Sequence, residues 1–391
     1  MAERLPAAPW TQRPALLALV EALGPGHARY VGGAVRDTLL GVAVKDIDIA
    51  TPLLPEQVVE RLTAAGIRSV PTGIEHGTIT AVLADGSVEI TTLRRDVSTD
   101  GRRATVAFAS DWREDAARRD FTINALYADP LTHEISDWFD GLVDLSARRV
   151  RFIGDARERI REDHLRILRY FRFQARFGSL PADKEAEAAC SELASTLKGL
   201  SRERIGMETM NLLGLPDPAP TIARMADLGV LAQILPEARA EALADLIAQE
   251  QAEGIAPDPL RRLAALLPPE PVLAEHVAAR FRLSAAQKKR VVTAASRTEP
   301  DDEPRAIAYR LGRSEALDRL LIAGRSAAPL EGWDIPQFPL KGGEIVERGI
   351  KAGPEVARTL RAIEERWIAE GFPDRERVLS MLDETVGTSE R

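Results

Sequence analysis

An α/β head followed by a long all-helical remainder is the fold class this sequence predicts, and three observations predict it. Short apolar runs with strand-like alternation are interleaved with helical segments over roughly the first 140 residues. Strand patterning then stops. From Asp155 onward the chain is rich in Ala, Leu, Arg and Glu with helical periodicity, broken by Pro and Gly clusters near 214–220, 254–259, 268–271 and 299–304.

The head reads in order as follows. ARYV (28–31) is a strand, and Gly32-Gly33 turn the chain into a short helix from Ala34 that ends at Gly41. A second strand carries KDIDIA (45–50). Pro55 suits a first helical turn and opens a helix to about Ala65. Strands near 77–83 and 87–93 are joined by Asp85-Gly86, a hairpin signal. Residues 94–114 read as a polar, charged loop, long for a compact domain and of the kind that is functional or disordered.

Composition bounds the function. A chain of 391 residues has room for two to four domains at ~150 residues each. Its net charge of −8 argues against a general nucleic-acid coat, though an RNA partner needs only one basic face. The basic residues are mostly Arg, which suits bidentate phosphate recognition and follows equally from GC-rich codons. The single Cys190 excludes an intrachain disulfide and a zinc finger, and no disulfide-linked partner is expected. No basic-then-apolar leader opens the chain, and no run approaches the ~20 apolar residues of a membrane span. A cytoplasmic protein without membrane contact is the expectation.

Three motifs carry chemistry. Gly32-Gly33 leave backbone amides free to approach phosphate at a helix start, with Arg36 one turn further on, although an ordinary strand–turn–helix corner has the same pattern. Asp46 and Asp48, two apart on a strand, project from one face while Ile47 and Ile49 point inward. Such a pair suits Mg²⁺ ions in phosphoryl transfer, and Glu89 in VEITTL (88–93) is the candidate third ligand and helper in deprotonating an attacking hydroxyl. A solvated strand face is the alternative for an isolated pair. In RRDFTINAL (118–126), Arg119, Asp120 and Asn124 are polar groups set beside the core residues Phe121, Ile123 and Leu126, suited to ribose hydroxyls and a triphosphate.

EDHLRILRYFRFQARFG (162–178) reads as one helix with Arg166, Arg169 and Arg172 recurring every third residue from Asp163. That stripe suits a triphosphate. Asp163 and Arg166 suit a base edge, because cytosine and adenine each place an amino donor beside a ring-nitrogen acceptor. Uracil and guanine put a carbonyl where Asp163 needs a donor. Local salt bridging, Glu162 to Arg166 and Asp163 to Arg166, accounts for the same residues at ~0.2–0.5 kcal/mol per pair.

The order GGAVRD, DID, EITTLRRD, RRDFTINAL, DGLVDL, EDHLR and SRERI over roughly 28–210 resembles the class II tRNA nucleotidyltransferases and bacterial poly(A) polymerases. FPLKGGEIVERGIKAGPEVARTLRAIEERW (338–367) is similar to the C-terminal helical region of CCA-adding enzymes. The resemblance implies a polymerase-beta-like nucleotidyltransferase head with a mixed sheet (1–140), a helical neck that reads the base (141–210), and an elongated helical body and tail that bind tRNA (211–391). It implies that Gly33, Arg36 and Arg119 contact the nucleotide's phosphates or sugar with Asp120 beside them. Asp163, Arg166, Arg169 and Arg172 complete the pocket, and Asp46 and Asp48, with Glu89, ligate Mg²⁺. Asp140-Gly141 resembles the hinge between head and neck, and 94–114 corresponds to the loop associated with switching from C to A addition. With only five His and no His-Asp dyad, no metal phosphohydrolase domain is expected.

The expected activity is therefore template-independent addition of CCA to the tRNA 3′ end from CTP and ATP, with release of pyrophosphate. A poly(A) polymerase, or an enzyme adding only CC or only A, shares the head motifs. A catalytically inactive RNA-binding relative is the alternative of another class, and the intact acidic residues weigh against it.

Overall fold

The computed structural model describes residues 3–73, 77–99, 104–297 and 303–389. The chain divides into two compact units, Met1–Pro236 and Glu237–Arg391.

The first unit opens with α1 (Pro14–Leu23), then β1 (Arg29–Val31), α2 (Gly33–Leu39), β2 (Asp48–Thr51), α3 (Pro55–Ala64), β3 (Arg68–Gly73), β4 (Thr78–Leu83) and β5 (Gly86–Thr92). Pro14 and Pro55 sit where a missing amide costs a helix nothing. Later strands β8 (Tyr127–Ala128) and β9 (Ile135–Ser136) complete a seven-stranded sheet in the order β3-β4-β5-β2-β1-β8-β9. Its neighbours run antiparallel except β2 and β5, which are parallel, with Asp48 opposite Glu89 and Ile49 opposite Ile90. The sheet is thus mixed. Ile47, Ile49, Val88 and Ile90 are buried, as their alternation requires.

Two expectations about the head need correction. Pairing in β2 begins at Asp48, so Asp46 precedes the strand and is exposed. The expected loop 94–114 is largely ordered structure: β6 (Arg94–Thr99) and β7 (Ala104–Phe108) form an antiparallel ribbon, followed by α4 (Trp112–Ala117). The Asp111 side chain accepts the Arg113 amide and caps that helix. Residues 100–103 of the segment lie outside the described residues, as do 299–302 of the 299–304 cluster and the last two of the chain.

A 3₁₀ turn (Thr122–Asn124) leads from RRDF into β8. Then come α5 (Gly141–Ser146), α6 (Ala156–Glu162), α7 (Arg166–Phe177), α8 (Lys184–Glu192), α9 (Arg202–Leu213), α10 (Ala219–Asp227) and α11 (Leu231–Ile234). Asp140 takes a left-handed conformation (φ 61°), and a Cβ on Gly141 would lie 2.3 Å from the Thr122 carbonyl oxygen. Only glycine allows that approach. The single helix expected over 162–178 is two helices, broken at Asp163, whose backbone is extended (φ −148°, ψ 105°). Phe121 packs against Phe152 and Phe173, with ring centroids at 5.0 and 5.1 Å, fixing the 3₁₀ segment against α7.

Among its described residues the regular elements of the second unit are all helices: α12 (Glu241–Ala252), α13 (Pro259–Leu266), α14 (Pro271–Arg280), α15 (Ala285–Ala295), α16 (Pro304–Leu311), α17 (Arg313–Ile322), α18 (Gly342–Val346), α19 (Pro354–Ala369) and α20 (Arg375–Ser389). Trp367, Ile363 and Met381 anchor one core. Between α12, α13 and α17 the buried Glu250 accepts from Arg261 at 2.7 Å and Arg262 at 2.8 Å. No helix among the described residues is long and apolar enough to cross a membrane.

Candidate active site

An open cleft of ≈ 410 Å³ lies on the first unit. The sheet contributes Val31, Asp48, Ile49, Thr78, Glu89 and Thr91. Facing these are Arg94 from the foot of the ribbon, Arg118, Arg119 and Asp120 after α4, and Asp163, Arg166 and Arg169 around the α6–α7 break. Five arginines thus line one cavity with an acidic pair on the central strands β2 and β5.

The carboxylates behave as a charge-deficient set. Burial raises the pKa of Asp48, and Glu89 and Asp46 push it further up, while Arg119 opposes them. Among the described residues, no three His, Cys, Asp or Glu side chains converge closely enough to form a ready-made metal cluster. The donor set nevertheless suits a hard cation, being all oxygen and short of positive charge.

The arginine wall is held from behind. Buried Asp115 accepts from the Arg94 amide (3.0 Å), Arg118 Nε (2.9 Å), Arg119 Nη2 (3.3 Å) and the Tyr127 hydroxyl (2.6 Å). Burial alone would raise its pKa; the charges of Arg119 and Arg118 overcome that and hold it at about 2. Arg119 also donates from Nε to the Tyr127 hydroxyl (2.9 Å). Arg166 donates to the carbonyls of Arg118 and Arg159 (2.9 Å each) and to Glu162 (2.5 Å). Asp163 pairs with Arg204 of α9 at 2.6 Å rather than with Arg166.

A second chain of contacts runs away from the cleft. Arg169 forks onto Asp120 (2.8 and 2.6 Å), Asp120 accepts from Asn124 (2.9 Å), and Asn124 accepts from Arg36 (2.5 Å). Burial works against the Asp120 carboxylate, but the charge of Arg169 and the hydrogen bonds from Asn124, Arg169 and the Phe121 amide together lower its pKa. Arg36 is buried, bonds Asp37 at 2.8 Å, and lies 4.1 Å over the Phe177 ring. Arg172 pairs with the buried Glu208 at 2.6 Å.

The predicted residues therefore separate. Asp48, Glu89, Arg119, Asp120, Asp163, Arg166 and Arg169 come together in the cleft. Gly32, Gly33, Arg36, Asp46, Asn124 and Arg172 are not in its walls. Gly32 is required by its φ of 64°, since a Cβ there would make only an ordinary contact with Arg119 Nη1 at 3.4 Å. Arg36, Asn124 and Arg172 are engaged by protein partners instead. Arg94, Arg118, Thr78, Thr91, Arg204 and Asp115 were missed. EITTLRRD and SRERI contain Arg94 and Arg204, and Arg118 adjoins Arg119, so motif membership was the available signal.

Residues 28–151 match the family described as Poly A polymerase head domain, and 182–241 that described as Probable RNA and SrmB- binding site of polymerase A. A Mus musculus protein, CCA tRNA nucleotidyltransferase 1, mitochondrial, is 36% identical over 377 residues, covering 91% of this chain and 86% of that protein. The solved Bacillus stearothermophilus CCA-adding enzyme in complex with CTP matches at a TM-score of 0.74 and 27% identity, covering 98% of this chain and 99% of that one. The Thermotoga maritima CCA-adding enzyme complexed with tRNA shares the fold at a TM-score of 0.68 and 20% identity, covering 96% and 99%.

Proposed function

This chain belongs to the family of CCA tRNA nucleotidyltransferases, and from that membership we propose that it builds the CCA 3′ end of tRNA from CTP and ATP. The observation that carries the proposal is the cleft itself: an acidic pair at Asp48 and Glu89 on two central strands, together with five arginines. A triphosphate brings roughly four negative charges, and a wall of guanidinium groups in a partly desolvated cleft suits it. Few other ligands need both halves.

In this reading the tRNA 3′-hydroxyl attacks the α-phosphate in line and pyrophosphate leaves. Asp48 and Glu89, with Asp46 beside them, are the residues that would hold Mg²⁺. Bound there, the ion would lower the pKa of the attacking hydroxyl and neutralise charge at the reacting phosphate. Arg94, Arg118, Arg119 and Arg169 bind the phosphates and orient them without titrating, since guanidinium stays charged at any working pH. Asp120 already accepts from Arg169, Asn124 and the Phe121 amide, so its part is to hold Arg169 in the wall beside the nucleotide. Asp163 and Arg166 read the amino donor and ring-nitrogen acceptor shared by cytosine and adenine. Arg36, Asn124 and Arg172, engaged by protein partners, are given no direct part in gripping the nucleotide.

We assign base reading to the neck (141–210) and tRNA contact to the remainder (211–391); the match at 182–241 spans the boundary between them and supports RNA contact there. Cytoplasmic action is part of the same proposal, although the mouse relative is described as mitochondrial. Incubating the protein and Mg²⁺ with tRNA lacking its CCA end, and CTP and ATP singly or together, tests the activity. CTP should be incorporated twice and ATP once. Incorporation of ATP alone in long runs would point to poly(A) addition, and no incorporation of CTP would sink the CCA reading.

A further inference from the structure

Asp115 touches none of the space a nucleotide would fill, yet three of the groups it binds belong to residues of the cleft wall. Its Oδ1 accepts from the Arg94 amide and Arg118 Nε, and its Oδ2 from the Tyr127 hydroxyl and Arg119 Nη2. A carboxylate offers about four lone-pair sites, so this one is saturated. The Arg94 amide begins the β6–β7 ribbon, while Arg118 and Arg119 end α4. One buried side chain therefore sets the foot of the ribbon and two cleft guanidiniums in a common register. Arg118 in turn offers its carbonyl to Arg166 at 2.9 Å, extending that register to the base-reading pair.

We propose that Asp115 is a positioning residue for nucleotide binding, tethering the ribbon foot to the arginines that grip the triphosphate. The proposal rests on the nucleotidyltransferase reading and goes beyond it by naming what holds the arginine wall in shape. Unanchored, Arg118 and Arg119 would have to be ordered by the nucleotide itself, and that ordering entropy would be subtracted from affinity. Ribbon position and triphosphate affinity become coupled through one carboxylate.

Asp115→Asn preserves size but offers one acceptor atom and an amide that meets two donors. The full-length variant, confirmed folded by circular dichroism, should bind CTP and ATP at least about tenfold more weakly in equilibrium dialysis, the cost of losing charge-assisted bonds. Binding of CCA-less tRNA should be unchanged. Exchange of the Arg94 amide with solvent deuterium should accelerate. A role in folding alone would reduce the active fraction and leave the nucleotide dissociation constants where they were, and that result overturns the proposal. Weakened binding with an unaltered Arg94 amide overturns the tether to the ribbon. Should Asp115→Asn not fold, Tyr127→Phe decides: it removes one donor to Asp115 and one acceptor for Arg119, and should weaken both nucleotides about threefold. Unaltered binding in that variant overturns the proposal. Wild-type protein binding neither nucleotide overturns this proposal together with the function it rests on, whereas normal wild-type binding beside unaltered variants overturns this proposal alone.

Discussion

Asp48 and Glu89 stand directly opposite each other across the one parallel pairing of the sheet, β2 against β5. Two carboxylates in that relation repel, and burial of Asp48 compounds the cost. A raised carboxyl pKa in the folded state means the charged form is penalised, so its destabilising effect is present above that pKa and vanishes below the unfolded value. Asp48→Asn should therefore raise the thermal unfolding midpoint of the metal-free protein at pH 7 and lose that advantage at pH 3. The same variant should lose nucleotide addition by about 10³-fold or more, because a metal ligand contributes several kcal/mol to the transition state. Calorimetry across pH, beside a single-turnover CTP addition assay, checks both signs. A variant as active as wild type removes Asp48 from the mechanism.

Arg36 illustrates where sequence and structure part. One turn into a glycine-led helix, it has the position of a phosphate ligand, but its guanidinium is buried between Asp37, Asn124 and the Phe177 ring. Arg36→Ala should cost about 3 kcal/mol of stability, as breaking a buried ion pair does. Urea unfolding measures the loss, and dialysis should find CTP affinity in the folded fraction altered less than threefold, within about 0.6 kcal/mol. A large affinity loss without destabilisation would restore Arg36 to the phosphates.

The strand–turn–helix start, the hairpin at Asp85-Gly86 and the helical remainder are legible because each is written in neighbouring residues. Partnerships between distant segments are not. Nothing local announces that β5 lies parallel to β2, or that Arg204, 41 positions away, takes Asp163 from Arg166. The ribbon at 94–108 escaped because RRDVST carries charge and hydroxyls where alternation would be sought. Asp46-x-Asp48 looked like one strand face, but pairing begins only at the second aspartate.

That Asp163–Arg204 pair yields a prediction about selectivity. Asp163 lies at a helix break, without a helix to orient it, and Arg204 supplies the orientation at 2.6 Å. Arg204→Ala should relax discrimination of CTP and ATP against UTP and GTP by about tenfold, in the same direction as Asp163→Ala. Arg166→Ala should do likewise while also removing the bond to the Arg118 carbonyl. Ratios of kcat/KM for the four nucleotides on tRNA lacking only the final A, or the final CA, of its CCA end check this. Unchanged ratios in all three variants would leave Asp163 and Arg166 as salt-bridge residues only.

Acid should act on Asp115 before it acts on the arginines. Arg118, Arg119, Tyr127 and the Arg94 amide face its carboxylate, and the pKa is held at about 2. A depressed folded pKa contributes stability that is present above the unfolded value near 4 and lost as pH falls toward about 2. The stability difference between wild type and Asp115→Asn should thus be about 2 kcal/mol at pH 6 and shrink progressively below pH 4. Urea titrations at pH 6, 4 and 3 measure it. A difference that grows on acidification contradicts the assignment.

The second unit carries a separate electrostatic liability that can be read independently. Glu250 is 1% exposed and is shared by Arg261 and Arg262, themselves 2% and 1% exposed. Arg290 approaches from α15 to bond Asp318 at 2.6 Å and Asp258 at 2.8 Å. Buried pairs of this kind add little net stability over an apolar core, yet removing one partner strands a charge without solvent. Glu250→Gln removes the charge that Arg261 and Arg262 share, and should cost about 3 kcal/mol, since Arg261 keeps the Ala256 carbonyl and Asp318 at 3.7 Å. Because that loss falls on Glu237–Arg391, and the cleft is built wholly from Met1–Pro236, CTP affinity at low temperature should be preserved while thermal unfolding begins earlier. Differential scanning calorimetry with and without CTP separates the two: the nucleotide should shift wild type upward and leave the early transition of the variant in place. A single transition that CTP rescues in full would show that the two units unfold as one.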